Sequence, residues 1–208
     1  METKIWTLIH EFRKSLRGAD PEEVVEKWLL APGARHVSQE TIALIQGELA
    51  TGYCVPTGDV QIWVTGSAKL GFSISEKRTK DGAMLPRYRV FSAESDIDVA
   101  VVSQAIFELV WRELSLHSHR QPRFPWDAGK LADYLVCGWL RPDHFPKHVR
   151  LYWCDIWWEI FRRLSADPRL RRRRVRGGLF YSIDQLRSYM ARAVSDCVTH
   201  EQFSVRVP

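Results

Sequence analysis

Apolar residues recur along this chain at two spacings, and the change from one to the other marks the core. Near the start, Ile5, Leu8, Ile9, Phe12 and Leu16 fall three and four apart with charges between them. That period predicts a helix burying one side. Asp20-Pro21-Glu22-Glu23 opens a second helix, with Asp20 as cap and Pro21 at the first position, where its missing N–H is not needed. That helix carries Val24, Val25, Trp28 and Leu29 and stops at Ala31-Pro32-Gly33. A third begins at Ser38 and runs through Ile42, Leu44, Ile45 and Leu49 to Thr51-Gly52. The period then changes. Residues 62–66 (IWVTG) and 96–102 (DIDVAVV) are short apolar runs rich in Val and Ile, the pattern of buried strands.

Beyond residue 102 the helical period returns. Ser103 caps a helix through Ile106, Leu109, Val110 and Leu114, and Asp127 caps another through Leu131, Tyr134 and Leu135 that ends at Gly138. Residues 175–181 predict one further strand. Ser182-Ile183-Asp184-Gln185 is a capping box for a last helix through Leu186, Tyr189, Met190, Ala193 and Val194, with a frayed tail from His200. The expected fold is α+β, a small mixed β-sheet surrounded by helices in one domain over residues 1–208. Residues 1–58 would form a helical part, 59–103 the core, and 104–208 a helical part with one strand.

Residues 149–164 admit two readings. As a strand, Asp155 shares a face with Leu151, Trp153 and Trp157. As a helix, Val149, Tyr152, Trp153, Ile156, Trp157, Ile160, Phe161 and Leu164 form one stripe, and Asp155, Glu159, Arg162 and Arg163 lie opposite it. The helix accounts for more positions, and the segment is long for a strand.

Composition narrows the partners. At 208 residues with 45% hydrophobic content the chain can bury a sizeable core. Net charge is +5 and the isoelectric point about 9.1, which permits phosphate-bearing partners. Cys54, Cys137, Cys154 and Cys197 form no CxxC pair, so they predict buried, reduced thiols rather than a zinc site. No apolar run approaches the ~18 residues of a membrane span, and no leader pattern opens the chain, so the expected location is cytoplasmic.

The candidate chemistry lies between residues 62 and 102. Asp96 and Asp98 are two apart, so on a strand they face one way while Ile97 and Val99 face the packed side. Two carboxylates at about 6–7 Å repel unless a cation lies between them, and hard oxygen ligands suit Mg²⁺ or Mn²⁺ with a substrate phosphate completing the shell. Gly66-Ser67 ends the preceding strand, where a glycine lets backbone N–H groups approach a phosphate. Gly66-Ser67, Gly71 and Ser95-Asp96-Ile97-Asp98 together resemble the signature of the DNA polymerase β-like nucleotidyltransferase superfamily. Residues 135–143 (LVCGWLRPD) and 178–182 (GLFYS) are similar to small stand-alone bacterial members, many of them in antiviral defence or toxin–antitoxin operons.

The resemblance implies metal-dependent transfer of a nucleoside monophosphate from an NTP or dNTP. Asp96 and Asp98 would hold Mg²⁺ or Mn²⁺, and Gly66, Ser67 and Lys69 the phosphates. The acceptor would be a protein, a nucleic-acid end or another nucleotide. The family also implies a third carboxylate on a later strand, and Asp155 is the candidate, which the helical reading removes to a surface. The other reading is therefore a degenerate module that binds nucleic acid or a partner protein without turnover.

This chain departs from the family in one respect. Ser67 and Asp96 are 29 positions apart, much farther than the family usually sets them. The extra residues, about 76–92, hold Lys77, Arg78, Lys80, Arg87 and Arg89 around the turn signals Asp81-Gly82 and Pro86, so a long loop or short hairpin is expected. Arg171, Arg172, Arg173 and Arg174 form a basic run leading into the last strand, a further candidate for phosphate contact, as are Arg141 and Lys147. His117 and His119 make an HxH pair with no third ligand at useful spacing, and they are expected in the loop containing Pro122 and Pro125.

Overall fold

The computed structural model describes residues 2–79, 81–120, 128–145 and 149–204. Lys80, Pro122, Pro125, Asp127 and Lys147 lie outside them. The architecture is α+β: helices together with a four-stranded mixed sheet and a separate two-stranded hairpin. The chain divides into two compact units, one of residues 1–38, 64–97 and 187–208, the other of residues 39–63 and 98–186.

In the first unit, helix α1 (Glu2–Ser15) buries Ile9 and Phe12, as its period predicts. Asp20 accepts a hydrogen bond from Glu22 N–H and caps α2 (Pro21–Val24). The chain then widens into a π-helical turn over Val25–Leu29 that the sequence pattern does not distinguish from an α-helix. Phe12 meets Trp28 and Phe72 edge-on, with ring centroids 5.4 and 5.5 Å apart. The segment after residue 70 leaves and returns as a hairpin. Phe91 N–H donates to Gly71 C=O (2.8 Å) and Ser73 N–H to Arg89 C=O (2.8 Å), and β2 (Lys77–Arg78) pairs antiparallel with β3 (Met84–Leu85) at the tip. Gly82 turns the tip at φ +89°. The later part of α8 (Ile183–Ser204) closes the unit. Its end is not frayed at residue 200: Glu201 is buried, held by Arg13 through two 2.9 Å hydrogen bonds and by Tyr88 through a third.

The second unit holds α3 (Gln39–Tyr53), α5 (Gln104–Arg120), α6 (Ala128–Val136) and α7 (Tyr152–Ala166). The four-stranded sheet has the order β1 (Gln61–Thr65), β4 (Ile97–Val102), β6 (Val175–Phe180), β5 (Trp139–Leu140). Strand β5, antiparallel to β6, is an edge strand where the sequence pattern marks only the end of a helix. Ser103 N–H, just past β4, donates to the carbonyl of Phe180, the last residue of β6 (3.1 Å). Two neighbouring strands joined at their C-terminal ends run parallel.

Residues 149–164 are helical from Tyr152 onward, which leaves the strand reading aside. The buried stripe is Cys154, Trp157, Ile160, Phe161 and Leu164, so Cys154 replaces the expected Tyr152, which is exposed. Glu113 from α5 accepts hydrogen bonds from Tyr152 and Trp153 N–H, placing a carboxylate at the positive end of α7. The HxH pair is also relocated: His117 and His119 are in the last turn of α5, where positions two apart diverge. Of the cysteines, Cys154 and Cys197 are buried, but Cys54 is exposed and Cys137 half-buried. Burial raises the Cys154 thiol well above its ordinary pKa.

Candidate functional site

In the first unit, Gly66 takes φ +60° and opens a five-residue helix, α4 (Gly66–Leu70), which Gly71 closes at φ +89°. A Cβ at Gly71 would lie 2.8 Å from Ile5 Cδ1, so both conformation and space require glycine there. Ser67 is half-buried and Gly66 exposed. Lys69, assigned by sequence to the phosphates, is 7% exposed, and its ammonium donates to the carbonyls of Ala31 and Gly33. Burial holds its pKa below the ordinary lysine value. Two of its three N–H donors are therefore engaged inside the unit.

The hairpin returns the chain to Asp96. After the Gly71–Phe91 hydrogen bond, Ser92 and Ser95 close a tight turn: Ser95 N–H donates to Ser92 C=O (3.2 Å) and Ser92 N–H to Ser95 Oγ (3.0 Å). Asp96 follows directly, half-buried and one residue ahead of β4. The 29-residue separation in sequence is thus an antiparallel excursion rather than a displacement of Asp96 from the turn that precedes it. Arg87 and Arg89, candidates for phosphate contact, instead hold the hairpin. Arg87 donates to Ile74 C=O and Cys197 Sγ, and Arg89 to Ser73 Oγ and Pro86 C=O.

In the second unit, Asp98 is exposed as the second residue of β4, and Ile97 and Val99 on either side are buried, as alternation predicts. The parallel register pairs Val102 with Phe180, which sets Asp98 level with Arg176 on the same face. On β6 the opposite face, Val175, Gly177 and Leu179, is buried, and a Cβ at Gly177 would lie 2.3 Å from Phe161 Cζ on α7. Arg176 and Gly178 thus face away from α7. A Cβ at Gly178 would lie 4.0 Å from Arg141 Cδ, so Arg141 lies over that glycine, held by Asp143 through two hydrogen bonds of 2.8 and 2.7 Å.

Comparison with known proteins decides no family. No protein-family model, curated protein or solved structure matches the chain.

The remaining candidates fall apart from this sheet face in different ways. Asp155 is an exposed residue of the first turn of α7, 3.7 Å from Arg150. It is no strand carboxylate. Arg171 and Arg172 both take left-handed backbone (φ 54° and 51°) in the turn before β6, with Arg171, Arg172 and Arg174 exposed and Arg173 half-buried. Among the described residues no group of three or more His, Cys, Asp or Glu side chains gathers as a metal site. Asp96 and Asp98 fit Mg²⁺ or Mn²⁺ in the kind of donor they offer, and they would leave most of the shell to substrate oxygens and water. Sequence reasoning missed Arg176. The V-R-G-G-L-F alternation does put it opposite Val175 and Leu179, but only the β4–β6 register sets it beside Asp98.

Proposed function

We propose that the chain is a metal-dependent nucleotidyltransferase of the polymerase β-like kind, moving a nucleoside monophosphate from an NTP or dNTP to an acceptor. The observation that carries this reading is the run from Gly66 to Asp98. A strand ends in a Gly-Ser turn with positive φ, and an antiparallel excursion pinned by the Gly71–Phe91 hydrogen bond leads back to Asp96 and Asp98 at the head of β4. Asp96 and Asp98 would hold the divalent ion, which neutralises phosphate charge as pyrophosphate departs. The Gly66-Ser67 turn would hold the β- and γ-phosphates through backbone N–H groups and the Ser67 hydroxyl. A role in antiviral defence and a protein, nucleic-acid or nucleotide acceptor follow from the resemblance.

The experiment is a nucleotide titration with Mg²⁺ or Mn²⁺ and with chelator, on the parent and on Asp96→Asn with Asp98→Asn. The reading expects metal-dependent binding in the parent and none in the double variant, with the fold retained because removing like-charge repulsion rarely destabilises. Unchanged metal-dependent affinity in the double variant would place the site elsewhere.

One observation favours the second reading, a module that binds without turnover. Arg176 is level with Asp98, and a guanidinium there competes with a metal for the carboxylate. Under that reading nucleotide binding would be independent of metal and no label would be transferred.

A further inference from the structure

We propose that Arg176 and Arg141, on the sheet face beside Asp98, bind a phosphate monoester that is the acceptor of the transfer. This rests on the nucleotidyl-transfer reading and names its acceptor class. The face itself is built by three strands of the second unit. Arg176 and Gly178 are two apart on β6, so they point to one side, and the bare glycine leaves room for Arg141 from the end of β5. Toward the C-terminal ends of β4 and β6 this same face is covered, where Trp139 stacks near Phe180 (6.3 Å) and Tyr134 of α6 meets Trp139 (4.2 Å). At its other end Asp98 is exposed and Arg176 half-buried.

The charges favour an anion. His144, two residues beyond Pro142, has its pKa lowered first by burial and then by Arg141, Lys130 and Arg176, against an opposing effect of Asp143. Three cations, Arg141, Lys130 and Arg176, therefore act on one imidazole. Asp143 and Asp98 offset two of the three charges. Arg141 is 21% exposed, so its guanidinium is already largely withdrawn from water, and Asp143 holds it in place through Nε and Nη2.

The chemistry explains why an arginine can occupy this level. A hydroxyl acceptor must lose a proton as it attacks, which in the family falls to the third carboxylate. A phosphate monoester has a second pKa near 6, so its attacking oxygen is already ionised at neutral pH. In the step, that oxygen bonds to the α-phosphorus of the nucleoside triphosphate. The bond from the α-phosphorus to the bridging oxygen of the β-phosphate breaks, and pyrophosphate leaves with the electron pair. The product carries a new phosphoanhydride linkage, and no proton changes hands. No general base is required, and cations in its place hold the nucleophile.

The test separates this inference from the reading beneath it. In chelator, without metal, binding is measured by calorimetry for AMP against adenosine and for a 5′-phosphorylated decanucleotide against its 5′-hydroxyl counterpart. The phosphorylated member of at least one pair should bind about tenfold or more tightly, and which pair does so identifies the source of the phosphate. The preference should vanish in Arg176→Gln and in Arg141→Gln, persist in Arg176→Lys, and be untouched by Arg162→Gln on the exposed side of α7. Should Arg176→Gln fail to fold, Arg141→Gln and Lys130→Gln carry the same comparison. Equal binding within both pairs, or a preference that survives both glutamine variants, overturns the site. With metal and α-labelled NTP, label joined to the phosphorylated acceptor supports the transfer step, and label joined only to hydroxyl acceptors overturns it. Phosphate binding with no transfer to any acceptor would refute the nucleotidyltransferase reading and the acceptor role, while the binding site itself would stand.

Discussion

Glu201 is an acid near the end of α8, yet its side chain is only 8% exposed and receives hydrogen bonds from Arg13 and Tyr88. Burial alone would raise its pKa, but those hydrogen bonds and the Arg13 charge prevail, and the net shift is downward. A carboxylate whose folded pKa lies below its unfolded value, about 4.3, stabilises fully above that unfolded value. The contribution is lost as pH falls through the folded one. Glu201→Gln should therefore lower stability at pH 7 by about 1–3 kcal/mol, and the gap to the parent should close in urea melts near pH 3. A gap of the same size at both pH values would show that shape rather than charge is at stake. Asp155 makes the opposite case. It is exposed and pairs with Arg150 at 3.7 Å, so Asp155→Asn should leave any nucleotidyl transfer within a few-fold of the parent. Loss of a general base costs on the order of 10²–10⁴ in rate, and a fall of that size with the fold intact would return Asp155 to the site.

Among the elements, α7 and β6 meet most tightly at Gly177. A Cβ there would lie 2.3 Å from Phe161 Cζ and 2.6 Å from Trp157 Cζ2, and those rings pack 4.7 Å apart in the core. Gly177→Ala should destabilise by about 1–3 kcal/mol through overpacking, read as a lower melting temperature. Gly47→Ala on α3, with nothing within 4 Å of the new methyl, should instead hold or raise it. The same elements show what a sequence can carry. The periods at Phe12, Ile45 and Ile106, the caps at Asp20 and Ser103, and the strand pattern around Val64 and Val99 are local, and each appears where the pattern puts it. What was not legible is what register and distance decide. Trp139-Leu140 is too short to announce itself as a strand, and it exists because Phe180 and Leu179 pair with it. The Glu113 carboxylate that starts α7 comes from another helix, 39 residues upstream of Tyr152. Arg176 beside Asp98 follows from strands 78 positions apart, which no window along the chain contains.

For the molecule as a whole, the +5 charge gives a weak general attraction for phosphates, and the arginine run concentrates it. Arg171, Arg172 and Arg174 are exposed beside a turn with two successive left-handed residues. If the run tracks a duplex, replacing Arg171, Arg172, Arg173 and Arg174 by Gln should flatten the log–log salt dependence of binding by about 0.9 per lost contact. An unchanged slope would leave the run as solvated surface. No helix among the described residues is long and apolar enough to cross a membrane. The account as a whole depends on one transfer. The protein is incubated with Mg²⁺ or Mn²⁺ and either α-labelled or γ-labelled nucleotide, all four bases in ribo and deoxy form, with phosphorylated and unphosphorylated acceptors. The account predicts that α-label alone becomes attached to an acceptor, that γ-label leaves as pyrophosphate, and that Asp96→Asn with Asp98→Asn abolishes both. Attachment of γ-label, or α-label transfer undiminished in the double variant, would contradict it.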